Sequence, residues 1–219
     1  MKPWVAAWFC ALVCLVPARG MAQGQPVWGE VDVVSSWQAV AVTAPVIFRT
    51  DSRLPNPQLA ATGVIVDVRL PWRITVSGGY LGGYLATGSP RTSSLVGVPL
   101  VAATKTFAVW RIVAADRNVF DDFRGFGTSA ARYRNRFSLD FAPDHKREWH
   151  LFGDNEAFFD RSVSKWTQNR LRLGGGRRLS ESVLLDIYYL RWTVTSARTS
   201  TNVVGTTVTL ALNKRREQE

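Results

Sequence analysis

The chain has 219 residues, 46% apolar and 11% aromatic, with 27 Lys and Arg against 17 Asp and Glu and a formal net charge of +10. Both cysteines, Cys10 and Cys14, fall in the first apolar stretch, which excludes disulfides, thiol catalysis and cysteine metal sites from the remainder. The basic balance suits anionic lipid headgroups or acidic solutes, and the export signal described next excludes nucleic acid as a partner.

Lys2 supplies a small positive start, Trp4 to Val16 form an apolar run, and Pro17 breaks it. Gly20 and Ala22 then stand where small residues precede a cleavage site before Gln23, the pattern of a secretory signal peptide. The run is shorter than the ~20 residues a spanning helix needs. Residues 1–22 are therefore expected to be removed, and 23–219 to form one domain. Val13 precedes Cys14 where lipidation requires a small residue, so no acyl anchor is expected there.

Beyond this segment no run has the length and apolarity of a spanning helix, and helical periodicity gives way to alternation between turn clusters. The N-terminal half predicts strands over 27–36, 38–49, 58–69, 72–86 and 104–115. Pro45, Pro71 and Pro99 mark strand ends or bulges, because proline cannot donate to a ladder. The Gly/Ser/Pro-rich residues 88–103 read as a loop, as does 116–128 with Asp121 and Asp122. The C-terminal half predicts strands over 129–142, 147–159, 165–176, 182–195 and 201–212, joined by short links as an antiparallel meander. About ten strands result, within a range of eight to twelve.

The segment "SAARYRNRFSLDFA" at 129–142 shows the alternation most clearly. Arg132, Arg134 and Arg136 occupy one face, and Tyr133, Phe137, Leu139 and Phe141 the other. A soluble sheet would point its apolar face inward and an outer-membrane barrel would point it outward. Three features favour the barrel. The strands are long, around ten to fourteen residues, where a tilted membrane strand needs ~9–11. Trp72, Tyr84, Trp149, Trp166, Tyr189 and Trp192 recur near strand ends, where interfacial girdles sit. An exported sheet without disulfides also gains from closure, which removes its edges.

The expected fold is thus all-β, an antiparallel up-and-down transmembrane β-barrel in the bacterial outer membrane, with membrane lipid as its partner. The same parity places Arg132, Arg134, Arg136, Asp140, His150, Asp154, Glu156, Arg170, Arg172 and Asp186 in the interior, where arginine–carboxylate pairs are expected.

The run "ARYRNRFSLDF", then "GDNEAFF", then "QNRLRLGGGRRLSESVLLDIYYL" resembles an uncharacterised bacterial family, the domain of unknown function numbered 2490. "VSGGYLGGY" at 76–84 adds a family-like Gly-Gly-Tyr strand. The neighbourhoods of Glu156 and of Asn169-Arg170 carry most of the specificity. The resemblance implies an exported outer-membrane barrel, and it brings no established reaction or ligand.

Hidden chemistry has few candidates. His145 falls in a turn, whereas His150 starts an inward row with Asp154 and Glu156 and has the setting of a general base. Its nearest candidate nucleophile is Ser138 on the preceding strand. Asp121 and Asp122 lack the regular ligand spacing of a calcium loop. "GFG" at 125–127 and "GGG" at 174–176 have no strand–loop–helix context for phosphate, and the latter suits a bend or bulge at a rim. No metal or cofactor is expected. The reading is a structural or weakly pore-forming barrel with a charged interior. Its alternatives are a barrel hydrolase or acyltransferase acting on membrane lipid through His150, and a soluble periplasmic barrel binding a small ligand.

Overall fold

The computed structural model describes residues 26–50, 57–87, 92–144, 147–195 and 197–213. The N-terminal segment expected to be a signal peptide, with Cys10 and Cys14, and His145 lie outside the described residues.

The eleven strands are β1 (Val27–Trp37), β2 (Val40–Thr50), β3 (Pro57–Leu70), β4 (Ile74–Thr87), β5 (Thr92–Val109), β6 (Ile112–Gly125), β7 (Thr128–Phe141), β8 (Trp149–Asp160), β9 (Lys165–Ser180), β10 (Val183–Val194) and β11 (Thr199–Ala211). Each pairs with its sequence neighbours, and β1 pairs with β11 to close a barrel. The order is the expected meander, and the count exceeds the expected ten by one. That one strand changes the closure. In an up-and-down meander with an odd number of strands, the first and last run the same way. The β1–β11 seam is accordingly parallel, from Val27 opposite Val204 to Val34 opposite Ala211, while every other pair is antiparallel.

The extra strand comes from the middle of the chain, where the loops over 88–103 and 116–128 and the strand over 104–115 are corrected. Residues 92–109 and 112–125 are strands, joined at Trp110-Arg111. Glycine and proline were misleading there. Gly97 and Pro99 face Gly82 and Tyr80 of β4 in regular register. Toward β6 the register runs from Gly97 opposite Arg124 to Leu100 opposite Asp121, and the pairing skips Val98 and Pro99. The proline without an N–H thus sits where the ladder opens rather than where the strand ends.

Turn chemistry explains the short links. Phe126 and Gly127 both have positive φ (53° and 72°), as a type I′ hairpin demands. Gln38 and Trp110 also take positive φ as the first residue of two-residue links. The longer β7–β8 link is tied by Asp144, whose Oδ2 accepts from the Glu148 N–H at 2.7 Å and Oδ1 from the Trp149 N–H at 3.0 Å. The Glu148 bond, more than any other contact, holds the Asp144 carboxyl below its ordinary 3.8.

Outward positions are apolar over most of the wall. Val64, Val66, Val68 and Leu70 on β3, Tyr80 and Tyr84 on β4, and Val101, Phe107 and Val109 on β5 are all exposed. Inward positions include two small apolar clusters, Leu100, Ala102 and Val119 with Leu81, and Trp28, Tyr188, Leu190 and Val203 with Phe152 and Trp192. Among the remaining inward positions, uncharged Thr43, Pro45, Ile47, Ile65, Thr207 and Thr209 stand beside many charged side chains.

Candidate functional site

The lumen is the site that the strands build. Period-two alternation sends Arg132, Arg134, Arg136 and Asp140 of β7 inward, with His150, Asp154 and Glu156 of β8, Arg170 and Arg172 of β9, and Asp186 of β10. A cavity of about 470 Å³ lies among most of these side chains.

The charges are joined into a chain of ion pairs. Arg132 Nε lies 2.9 Å from Asp121 Oδ1, and Arg134 Nε lies 2.6 Å from Asp121 Oδ2, off the line of a hydrogen bond. Arg134 Nη1 donates to Glu156 Oε1 at 3.2 Å, and Arg170 Nη1 stands 3.7 Å from Glu156 Oε2. Arg172 Nε donates to Asp154 Oδ2 at 2.6 Å. Arg136 sits directly opposite Glu156 on one side and Arg117 on the other. One strand-to-strand row therefore reads Arg117, Arg136, Glu156, Arg170. Glu156 is the only acid in that row, and it answers guanidinium groups on both flanking strands.

Aromatic rings hold the guanidiniums that carboxylates leave over. Arg49 lies 4.0 Å above the Trp28 ring. Arg170 lies 4.5 Å from the ring of Phe158 and 5.2 Å from each of Trp28 and Trp192. Trp28 and Trp192 meet edge to face at 5.9 Å, and Trp192 Nε1 donates to Gln168 Oε1 at 3.1 Å. These contacts run from β1 to β8 across the lumen. Such cation–π contacts are worth more when water is excluded. The expected girdle role of Trp192 is corrected, because its ring packs inside the barrel.

A second group of acids lines the lumen beside Arg49. Glu30 and Asp32 of β1 and Asp67 of β3 line the cavity with Asp186. Near the mouth, His150 Nδ1 is 2.5 Å from Asp140 Oδ2 and Nε2 is 2.8 Å from Asp186 Oδ1. Arg147 Nη2 reaches Asp140 Oδ1 at 2.6 Å. Both ring nitrogens thus face carboxylates, and Ser138 donates its hydroxyl to the Ala115 carbonyl at 3.4 Å. A general base needs a ring nitrogen turned to its nucleophile. The structure brings His150 to acids instead of to Ser138.

Asp121 and Asp122 are corrected from loop to strand. They point to opposite faces of β6, Asp121 to the arginines inside and Asp122 to Arg124 and Ser129. They do not converge on one ion. Among the described residues there is no group of three His, Cys, Asp or Glu side chains that could hold a metal.

Gly174–Gly176 is also corrected, since it lies inside β9 in regular register with β8 and β10. Its role is space. A Cβ on Gly176 would lie 2.0 Å from both His150 Nε2 and Asp186 Oδ1, the ends of movable side chains. A Cβ on Gly174 would meet the Ile187 carbonyl at 2.6 Å and Tyr188 Cβ at 2.8 Å. Gly174→Ala is expected to cost about 1–3 kcal/mol and Gly176→Ala less, because backbone yields less readily than a side-chain end. Urea titration of both variants checks this order, and a more damaging Gly176→Ala would reverse the account.

Sequence reasoning missed Glu30, Asp32, Arg49, Asp67 and Arg117. The alternation of Trp28, Glu30 and Asp32 with Gly29, Val31 and Val33 was a usable signal. Arg117 was lost because its stretch read as a loop.

One mouth carries exposed tryptophans. Trp37, Trp72, Trp110 and Trp149 stand at strand ends and turns on that side. Arg111 lies 4.9 Å from the Trp110 ring, and Arg177 4.7 Å from that of Trp149.

No family model matches the sequence, and no curated protein matches it. A solved structure to which the chain is similar is an anion-selective porin from Comamonas acidovorans, at 10% identity and a TM-score of 0.38 over 78% of this chain. The match covers 52% of that porin, so the chain spans about half its length.

Proposed function

We propose that the protein is an outer-membrane β-barrel of the kind in the 2490 family, exported through its N-terminal segment, structural or at most weakly conducting. The observation that carries this is the distribution of side chains about the wall. Exposed valine, leucine, phenylalanine and tyrosine cover most of the outside, while ion pairs and cation–π contacts cross the inside. In water such a wall would leave an apolar surface far larger than soluble monomers carry. Against hydrocarbon it becomes the favourable face, and closure leaves no backbone edge unsatisfied. The Trp110–Arg111 and Trp149–Arg177 pairs suit the headgroup level at one mouth.

Weak conduction follows from the chain of Trp28, Arg170, Phe158 and Arg134 across the lumen. The expected result is detergent-dependent solubility, faster gel migration unheated than boiled, and little or no current in planar bilayers. Arg170→Ala combined with Trp28→Ala should raise the current by clearing the crossing. Large current from the unaltered protein would refute the packed-lumen reading. A chain that stays soluble and monomeric without detergent would refute the membrane reading.

A further inference from the structure

The outer wall is not apolar all the way round. Asn118 on β6, Asn135 on β7 and Asn155 on β8 point outward near the middle of their strands; Asn118 and Asn135 bond to Asp116, and Asn155 to Asn169 on β9. Apolar side chains bound this patch toward both mouths. On one side Phe120 and Tyr133 stack at 5.0 Å, the Tyr133 hydroxyl donating to Asn118 Oδ1, and Phe159 and Trp166 stack at 5.5 Å. On the other, Leu139, Leu151 and Leu173 are exposed. The patch therefore sits within the apolar band, not at its border.

Its internal bonds leave polarity over. Asn135 Nδ2 donates to Asp116 Oδ1 at 2.7 Å and to Asn118 Oδ1 at 3.1 Å. Asn155 and Asn169 bond reciprocally, at 3.2 Å in one direction and 3.0 Å in the other. A carboxamide offers two N–H donors and two acceptor lone pairs. The reciprocal pair consumes one donor and one acceptor on each residue. The second N–H and second lone pair of exposed Asn155 gain nothing from hydrocarbon, where an unmet polar group is costly.

We propose that this face, centred on Asn155, is where two copies of the chain meet side by side in the membrane. A second copy fits because a two-fold axis sets the same patch against itself. Carboxamides are both donor and acceptor, so Asn155 and Asn169 of one copy complement their own counterparts. The one carboxylate of the patch, Asp116, is held by the amides of Asn118 and Asn135 and stands opposite Lys105 of β5, so the patch does not call for a cationic partner. Polar side chains act in this way as contacts between membrane segments. The inference rests on the outer-membrane reading above.

The test uses the full-length chain with Cys10 and Cys14 changed to Ser, expressed in Gram-negative outer membranes. Leu171→Cys, exposed on β9 directly opposite Asn155, should form a disulfide-linked dimer on oxidation. Val64→Cys, mid-strand on β3 at the far side of the ring, should stay monomeric. In detergent the unaltered protein should have twice the protomer mass, and Asn155→Leu with Asn169→Leu should reduce it to one. A monomeric native mass, equal cross-linking at both positions, or a disulfide to a different protein would overturn the proposal. If the protein still needs detergent in those cases, only the interface fails. Solubility without detergent would remove the membrane reading as well.

Discussion

Glu156→Gln should destabilise the folded barrel by about 3–5 kcal/mol, the loss typical of removing one member of a buried ion pair. Its carboxylate is the only acid in the row Arg117, Arg136, Glu156, Arg170, and like charges directly opposite on neighbouring strands repel. Without it Arg170 keeps only ring faces, and its Nε already has no hydrogen-bond partner among the described residues. Arg134→Ala should cost less, roughly 1–3 kcal/mol, because no acid loses its last partner. Asp121 keeps Arg132 at 2.9 Å, and Glu156 keeps Arg170 at 3.7 Å. The measurement is denaturant titration of each variant refolded into liposomes, with Glu156→Asp as the charge-preserving control. A near-silent Glu156→Gln, or an Arg134→Ala that costs more, would contradict this distribution of charge.

The second large effect belongs to the outer wall. Val64→Arg, mid-strand on β3 and exposed, should cost about 2–4 kcal/mol in a bilayer, the penalty for a cation near the midplane. Leu139→Arg should cost less, since Leu139 lies close to the end of β7 and the penalty falls toward the interface. In a water-soluble barrel both exposed positions would accept arginine with little change, within about 0.5 kcal/mol. Refolding yield and urea midpoints in liposomes decide the matter. Silent substitution at Val64 would exclude lipid contact at that wall.

Much of the C-terminal half was legible because its signal is local. A strand's side chains alternate by covalent geometry, so the arginines of "RYRNR" share one face whatever the rest of the chain does. The five strands from β7 to β11 accordingly lie within a few residues of their expected bounds. The same reasoning failed at 88–128, where Gly97 and Pro99 looked like loop punctuation. Their place in β5 depends on β4 holding them in register, a long-range fact that composition does not carry.

The sequence by itself determined the all-β class, the meander and which side chains share a face, since these follow from residue alternation and short links. Only the tertiary structure decided that the barrel has eleven strands and a parallel seam, because closure parity turns on every strand being counted. It alone decided that Glu156 answers Arg134 and Arg170, that Trp192 turns inward beside Trp28, and that His150 meets two acids instead of Ser138. Those meetings depend on register between strands and on chords across the lumen, set by hydrogen-bond pairing among segments distant in sequence. A local pattern assigns a side chain to the inside, and ring closure chooses its partner there.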